Sequence, residues 1–149
     1  MTLASTQPAG GTQAFAARLT ELGKMIGLLR NHCAQLGAAP DLVVRIELAL
    51  EELLVNTVQH GYRADDGLVW LTITPNDGGI RLIYEDAAPP YNPLSIDTAA
   101  LDQAHAGDDP ETRPTGGLGR LLVARLCTAS SYAYDISRQR NILSLEFAP

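Results

Sequence analysis

The chain has 149 residues, 46 % of them hydrophobic and 19 % charged, the balance of one folded domain and not of a disordered chain. Its formal charge of −6 comes from 11 basic and 17 acidic residues. It shows neither the basic stripe of a duplex-DNA binder nor a run of about 18 apolar residues that could span a membrane. Met1 to Gly11 has no Lys or Arg and no apolar centre, so a signal peptide is not expected there and a cytoplasmic location is. Cys33 and Cys127 stand far apart in apolar, helix-like stretches. That spacing predicts two buried thiols, not a disulfide or a zinc site.

Residues 1–12 read as a loose tail and 13–149 as a single domain. Alternating apolar residues predict a short edge strand from Phe15 to Leu19. Thr20 can cap a helix through Leu36, with Leu22, Met25, Ile26, Leu29 and Cys33 on one face, and Gly37 can stop it. A second helix opens at Pro40-Asp41 and closes at Gly61; Leu42, Ile46, Ala49 and Leu53 form its stripe, widened by Val43, Leu50, Leu54 and Val58. Leu68 to Thr74 and Gly79 to Tyr84 are β-branched and aromatic runs joined by Asn76-Asp-Gly-Gly79, a hairpin signal. Ala87-Ala-Pro-Pro-Tyr-Asn-Pro93 breaks regular structure. Ser95 to Thr115 is predicted to be a mobile lid with one short helix, Thr98 to His105. Gly116-Gly-Leu-Gly119 then leads into a helix from Arg120 to about Ala129. A second hairpin closes the chain: Ser131 to Ser137, a turn over Arg138 to Asn141, and Ile142 to Phe147. Two hairpins and helices with single apolar faces predict an α+β, two-layer α/β sandwich with a largely antiparallel sheet.

Three features could carry chemistry. Glu52 and Asn56 lie four apart on the long helix and share a face. Asn is a poor helix former, and its amide oxygen is a good Mg²⁺ ligand, while a carboxylate can deprotonate a nucleophile; an ordinary solvated face is the other reading. Glu47 and Glu51 read as solvated, and His60 as a helix-end cap or a supporting group. The glycines of Gly116-Gly-Leu-Gly119 allow close backbone approach, and the following helix start offers free N–H groups to phosphate; a hinge for the lid is the alternative. Asp86 ends an apolar strand, where a carboxylate can accept from an exocyclic amine or serve only the turn.

The order of these boxes resembles the Bergerat-fold ATPases, the family of histidine-kinase ATPase domains, gyrase B and MutL. Glu-Glu-Leu-Leu-Val-Asn-Thr-Val-Gln-His-Gly-Tyr62, Leu126-Cys-Thr-Ala-Ser-Ser-Tyr-Ala-Tyr134 and Asn141-Ile-Leu-Ser-Leu145 resemble in particular the bacterial anti-sigma-factor serine kinases. The resemblance implies ATP and Mg²⁺ as cofactors, with Asn56 on the metal, Glu52 polarising the attacking hydroxyl and Asp86 reading the adenine amine. It implies that Gly116, Gly117, Leu118 and Gly119 face the phosphates, with Arg113 or Arg120 able to add charge. Ala88 departs from the family's Asp-x-Gly, and its methyl is expected to crowd the adenine. The implied activity is a serine/threonine-protein kinase that sequesters a sigma factor and phosphorylates a STAS-type anti-anti-sigma partner, with no nucleic acid or membrane contact and a homodimer left open. The alternative is a non-catalytic nucleotide-binding or degenerate interaction module.

Overall fold

The computed structural model describes residues 11–94 and 117–149, with 117–121 as backbone only. The predicted short helix, the lid, Arg113 and Gly116 lie outside the described residues. Five strands form one antiparallel sheet: β1 (Thr12–Ala16), β2 (Leu68–Asn76), β3 (Gly79–Asp86), β4 (Ala129–Asp135) and β5 (Arg140–Phe147), in the order β1-β2-β3-β5-β4. Three α-helices, α1 (Leu22–Leu36), α2 (Pro40–Asn56) and α3 (Gly117–Leu126), complete it. None among the described residues is long and apolar enough to cross a membrane. The α+β, two-layer architecture is the one predicted.

Alternation decides which sheet face is buried. Val69, Leu71 and Ile73 of β2, Ile80, Leu82 and Tyr84 of β3, and Leu143, Leu145 and Phe147 of β5 all point inward. They form one core with Met25, Leu29 and Cys33 of α1, Ile46, Leu50, Leu53 and Leu54 of α2, and Val123 of α3. The β2–β3 turn puts Asp77 at φ 48° and Gly78 at φ 82°, the paired positive φ of a type I′ hairpin. On the outer face, the Arg140 guanidinium lies 3.7 Å over the Trp70 ring. The Glu85 carboxylate beside it is 3.4 Å from Arg138 and 3.6 Å from Arg140.

Several boundaries differ from the sequence reading. β1 is Thr12–Ala16, not Phe15 to Leu19, because its partner β2 starts at Leu68, opposite Ala16. Ala17 then bonds to Gly67 O, and Leu19–Glu21 turns into a 3₁₀ helix. Thr20 therefore caps nothing; Glu21 holds the N-cap of α1 without a side-chain bond. α3 starts three residues before Arg120 and stops at Leu126, since first-turn residues need no intrahelical N–H acceptor and tolerate glycine. The β4–β5 turn covers Ile136 to Gln139, closed by Gln139 at φ 55°. There Asp135 accepts from Ser137 Oγ (2.8 Å) and Arg138 Nε (2.7 Å), which hold its carboxyl well below the usual range. Glu47 is not merely solvated: it pairs with Arg30 of α1 at 2.6 Å, clamping the two helices. Cys33 is buried and Cys127 half-buried; both are free, and burial raises both thiol pKa values.

Candidate functional site

Asn56 ends α2, and the chain then widens into a π turn, Thr57–Gly61, in which the Tyr62 N–H donates to Thr57 O at 2.8 Å. Single π turns inside helices recur at functional sites because they re-aim the side chains beside them. Here the turn follows Asn56 directly and leaves His60 exposed. Asn56 is 5 % exposed, and its Nδ2 has no hydrogen-bond partner among the described residues. Glu52, one turn earlier, is half-buried.

Asp86 is the polar centre of the site. It points inward at the end of β3, opposite Asn141 of β5, and is 2 % exposed. Its Oδ1 accepts from Asn141 Nδ2 at 2.8 Å and from the Ala88 N–H at 3.2 Å. Its Oδ2 accepts from Thr57 Oγ1 at 2.9 Å and from the Tyr91 hydroxyl at 3.3 Å. The Tyr84 hydroxyl lies 2.7 Å from Thr57 Oγ1 and donates to Leu53 O at 3.2 Å. Leu53, Tyr84, Thr57 and Asp86 thus lie in one buried chain between α2 and the sheet; with the Thr57 hydrogen on Asp86, the single Tyr84 hydrogen is shared between Thr57 Oγ1 and Leu53 O.

Burial is the main reason the Tyr84 phenol sits well above its usual pKa, and the nearby Asp86 carboxylate adds to the rise. An unfolded tyrosine ionises near pH 10, so the native state keeps a proton that the unfolded state has lost. The contribution is full below about pH 10 and falls as pH climbs towards the native pKa. Tyr84→Phe is expected to cost about 1–2 kcal/mol at pH 7, from the lost bonds. It should also flatten the decline in stability between about pH 10 and 11; urea titrations at the two pH values check both.

Ala88 adjoins Asp86, whose Oδ1 accepts from its N–H. It is 1 % exposed, and its methyl packs on Gly61, where an added Cβ would come within 3.1 Å of it. The missing side chain of Gly61 makes room for the methyl that Asp-x-Gly would lack. The loop after β3 is tied down twice. The Tyr62 hydroxyl accepts from Ala87 N at 2.7 Å and donates to Leu68 O at 2.7 Å. Asn141 donates to Ala88 O at 3.0 Å and accepts from the Tyr91 N–H at 3.1 Å.

A family model described as histidine kinase-like ATPase domain matches residues 15–147. The chain belongs to that family. No curated protein matches it. A histidine kinase-like ATPase domain implies ATP binding, and the boxes can be placed on that basis. Asn56, Thr57, Asp86 and Ala88 converge where α2 meets the ends of β3 and β5, while Gly117, Leu118 and Gly119 form the first turn of α3, which packs on α2. The buried Asn56 amide, whose Nδ2 has no partner among the described residues, is a donor set compatible with a magnesium-bound nucleotide. No group of three His, Cys, Asp or Glu that could hold a metal lies among the described residues; there Asn56 would supply an amide ligand. Mg²⁺ bound mainly by phosphate and water needs no more from a protein.

The sequence reading did not single out Thr57, Tyr84, Tyr91 or Asn141. Parity carried a signal for one of them: Asn141 is a polar residue at an inward position of an otherwise apolar strand. Its pairing with Asp86, 55 residues away, is fixed only by the β3–β5 register.

Proposed function

We propose that this chain is an ATP-dependent serine/threonine-protein kinase of the anti-sigma regulatory type, which holds a sigma factor and phosphorylates a STAS-type anti-anti-sigma partner. The observation that supports it best is the 2.9 Å bond from Thr57 to Asp86. It locks the helix carrying Glu52 and Asn56 to the carboxylate that would read the adenine amine, so base and phosphates are positioned by one rigid unit. Asn56 would hold Mg²⁺ through its amide oxygen, and the metal, when bound, neutralises phosphate charge. The first-turn N–H groups of α3 lack intrahelical acceptors and suit a phosphate. Glu52, half-buried one turn from Asn56, would take the proton of the partner's hydroxyl. The hydroxyl oxygen bonds to the γ-phosphorus as the bond to the β–γ bridging oxygen breaks, and ADP leaves.

A second reading has its own support. All the acceptor positions of Asp86 are taken by the protein, which favours a non-catalytic module that only binds partners. Transfer of radiolabelled phosphate from ATP to a purified STAS-domain protein separates the two. The kinase reading expects transfer by the wild type and at least about a hundredfold loss in Glu52→Ala, in the range general-base removal produces, with ATP binding retained. Transfer undiminished in Glu52→Ala would remove Glu52 from catalysis, and no transfer by the wild type would leave the binding module.

A further inference from the structure

We infer that the Tyr91 hydroxyl competes with the base amine for Asp86, so that nucleotide affinity depends on displacing Tyr91; this rests on the ATP-binding reading above. A carboxylate offers about four acceptor positions. Asp86 receives four donors: Asn141 Nδ2 at 2.8 Å, Thr57 Oγ1 at 2.9 Å, the Ala88 N–H at 3.2 Å and the Tyr91 hydroxyl at 3.3 Å. An incoming N–H must take the place of one of them.

Three of the four are poorly placed to leave. Thr57 is fully buried at the start of the π turn, and its hydroxyl is held from behind by Tyr84. Asn141 sits across the β3–β5 ladder from Asp86. The Ala88 N–H belongs to the turn that Asp86 itself begins. Tyr91 differs from all three. It is half-buried, it stands on the loop beyond β3, and its bond is the longest of the set.

Volume points the same way. The cavity beside Asp86 is walled by Leu53, Tyr84, Tyr91, Pro93, Tyr132 and Leu143 and measures about 10 Å³, no more than one water occupies. A purine is larger than this space, and the Tyr91 ring is part of its wall. The phenol thus stands in the wall of the space beside Asp86 and takes an acceptor the base amine needs. The Tyr91 N–H is held separately by Asn141 Oδ1 at 3.1 Å, so lifting the loop breaks a second bond that reports on the displacement.

The test is calorimetric titration of the full chain with Mg²⁺-ATP, wild type against Tyr91→Phe, with hydrogen exchange read at the Tyr91 amide. Tyr91→Phe keeps the ring and deletes the competing donor. It should bind about 3–10-fold more tightly, equivalent to about 0.7–1.4 kcal/mol, and the wild-type Tyr91 amide should exchange faster with ATP bound. Binding by the variant alone supports the inference still more strongly. Equal or weaker binding by Tyr91→Phe, or a Tyr91 amide unchanged or better protected with ATP, overturns the competition and leaves ATP binding standing. No binding by either protein at millimolar ATP overturns the nucleotide reading, and the competition with it.

Discussion

Asp86→Ala is expected to lower the unfolding free energy by about 2–4 kcal/mol without any nucleotide, and Asp86→Asn by only about 1 kcal/mol. The alanine leaves the buried Ala88 N–H without its acceptor and strips Asn141 Nδ2 and Thr57 of a charged one; bonds to charged groups contribute more than neutral ones. The asparagine has one good orientation. Its oxygen can replace Oδ1 and serve Asn141 and Ala88, whose donors cannot reverse. Its NH₂ then replaces Oδ2 and faces the hydroxyls of Thr57 and Tyr91, which can turn and accept. Thr57 would pass its hydrogen to Tyr84, 2.7 Å away, and Tyr84 can give its own to Leu53 O. The same reversal is hostile to a base amine, because it sets a donor against a donor. Asp86→Asn should thus weaken Mg²⁺-ATP by at least about tenfold, or about 1.4 kcal/mol, in a protein that is still folded. Urea titration measures the first effect and calorimetry the second. Equal stability losses in both variants would show that the relay cannot reverse, and unchanged ATP affinity in Asp86→Asn would leave Asp86 a structural residue only.

Local signals made most of the fold legible. The β-branched and aromatic runs marked β2 and β3, Asn76-Asp-Gly-Gly79 marked the hairpin, and the stripe of α2 marked the helix that the core is built on. Boundaries failed where a distant partner decides them. The start of β1 follows from Leu68, and the end of the β4–β5 turn from the Asp135–Arg138 contact. Glu47 looked solvated because nothing near it in sequence reveals Arg30 on the neighbouring helix. The candidate site divides in the same way. Glu52, Asn56 and Asp86 stand in recognisable boxes, whereas Thr57, Tyr91 and Asn141 matter only through contacts made across α2, β3 and β5. Ala88 shows the point most directly: the sequence marks it as a departure, and its accommodation depends on Gly61, 27 positions earlier.

Asn56 carries the remaining large expectation, and its sign separates function from packing. The Asn56 Nδ2 is buried without a hydrogen-bond partner among the described residues, an arrangement that costs stability and is kept where a site needs it. Asn56→Ala should therefore leave the nucleotide-free protein as stable as the wild type or more stable, by up to about 1 kcal/mol. Mg²⁺-ATP at about a hundred times its Kd should stabilise the wild type by about 2.7 kcal/mol, a rise of roughly 5–10 °C in Tm for a chain of this size. The variant should lose most of that rise, because the phosphates then hold the metal without a protein ligand. Chelation offers an internal check. EDTA should reduce the wild-type rise to that of the variant, and should change the variant's own response to ATP very little. If EDTA lowers both by the same amount, the metal is held by other residues. If Asn56→Ala destabilises the nucleotide-free protein by more than about 1 kcal/mol and keeps the ATP-induced rise, the amide serves the fold and not the nucleotide.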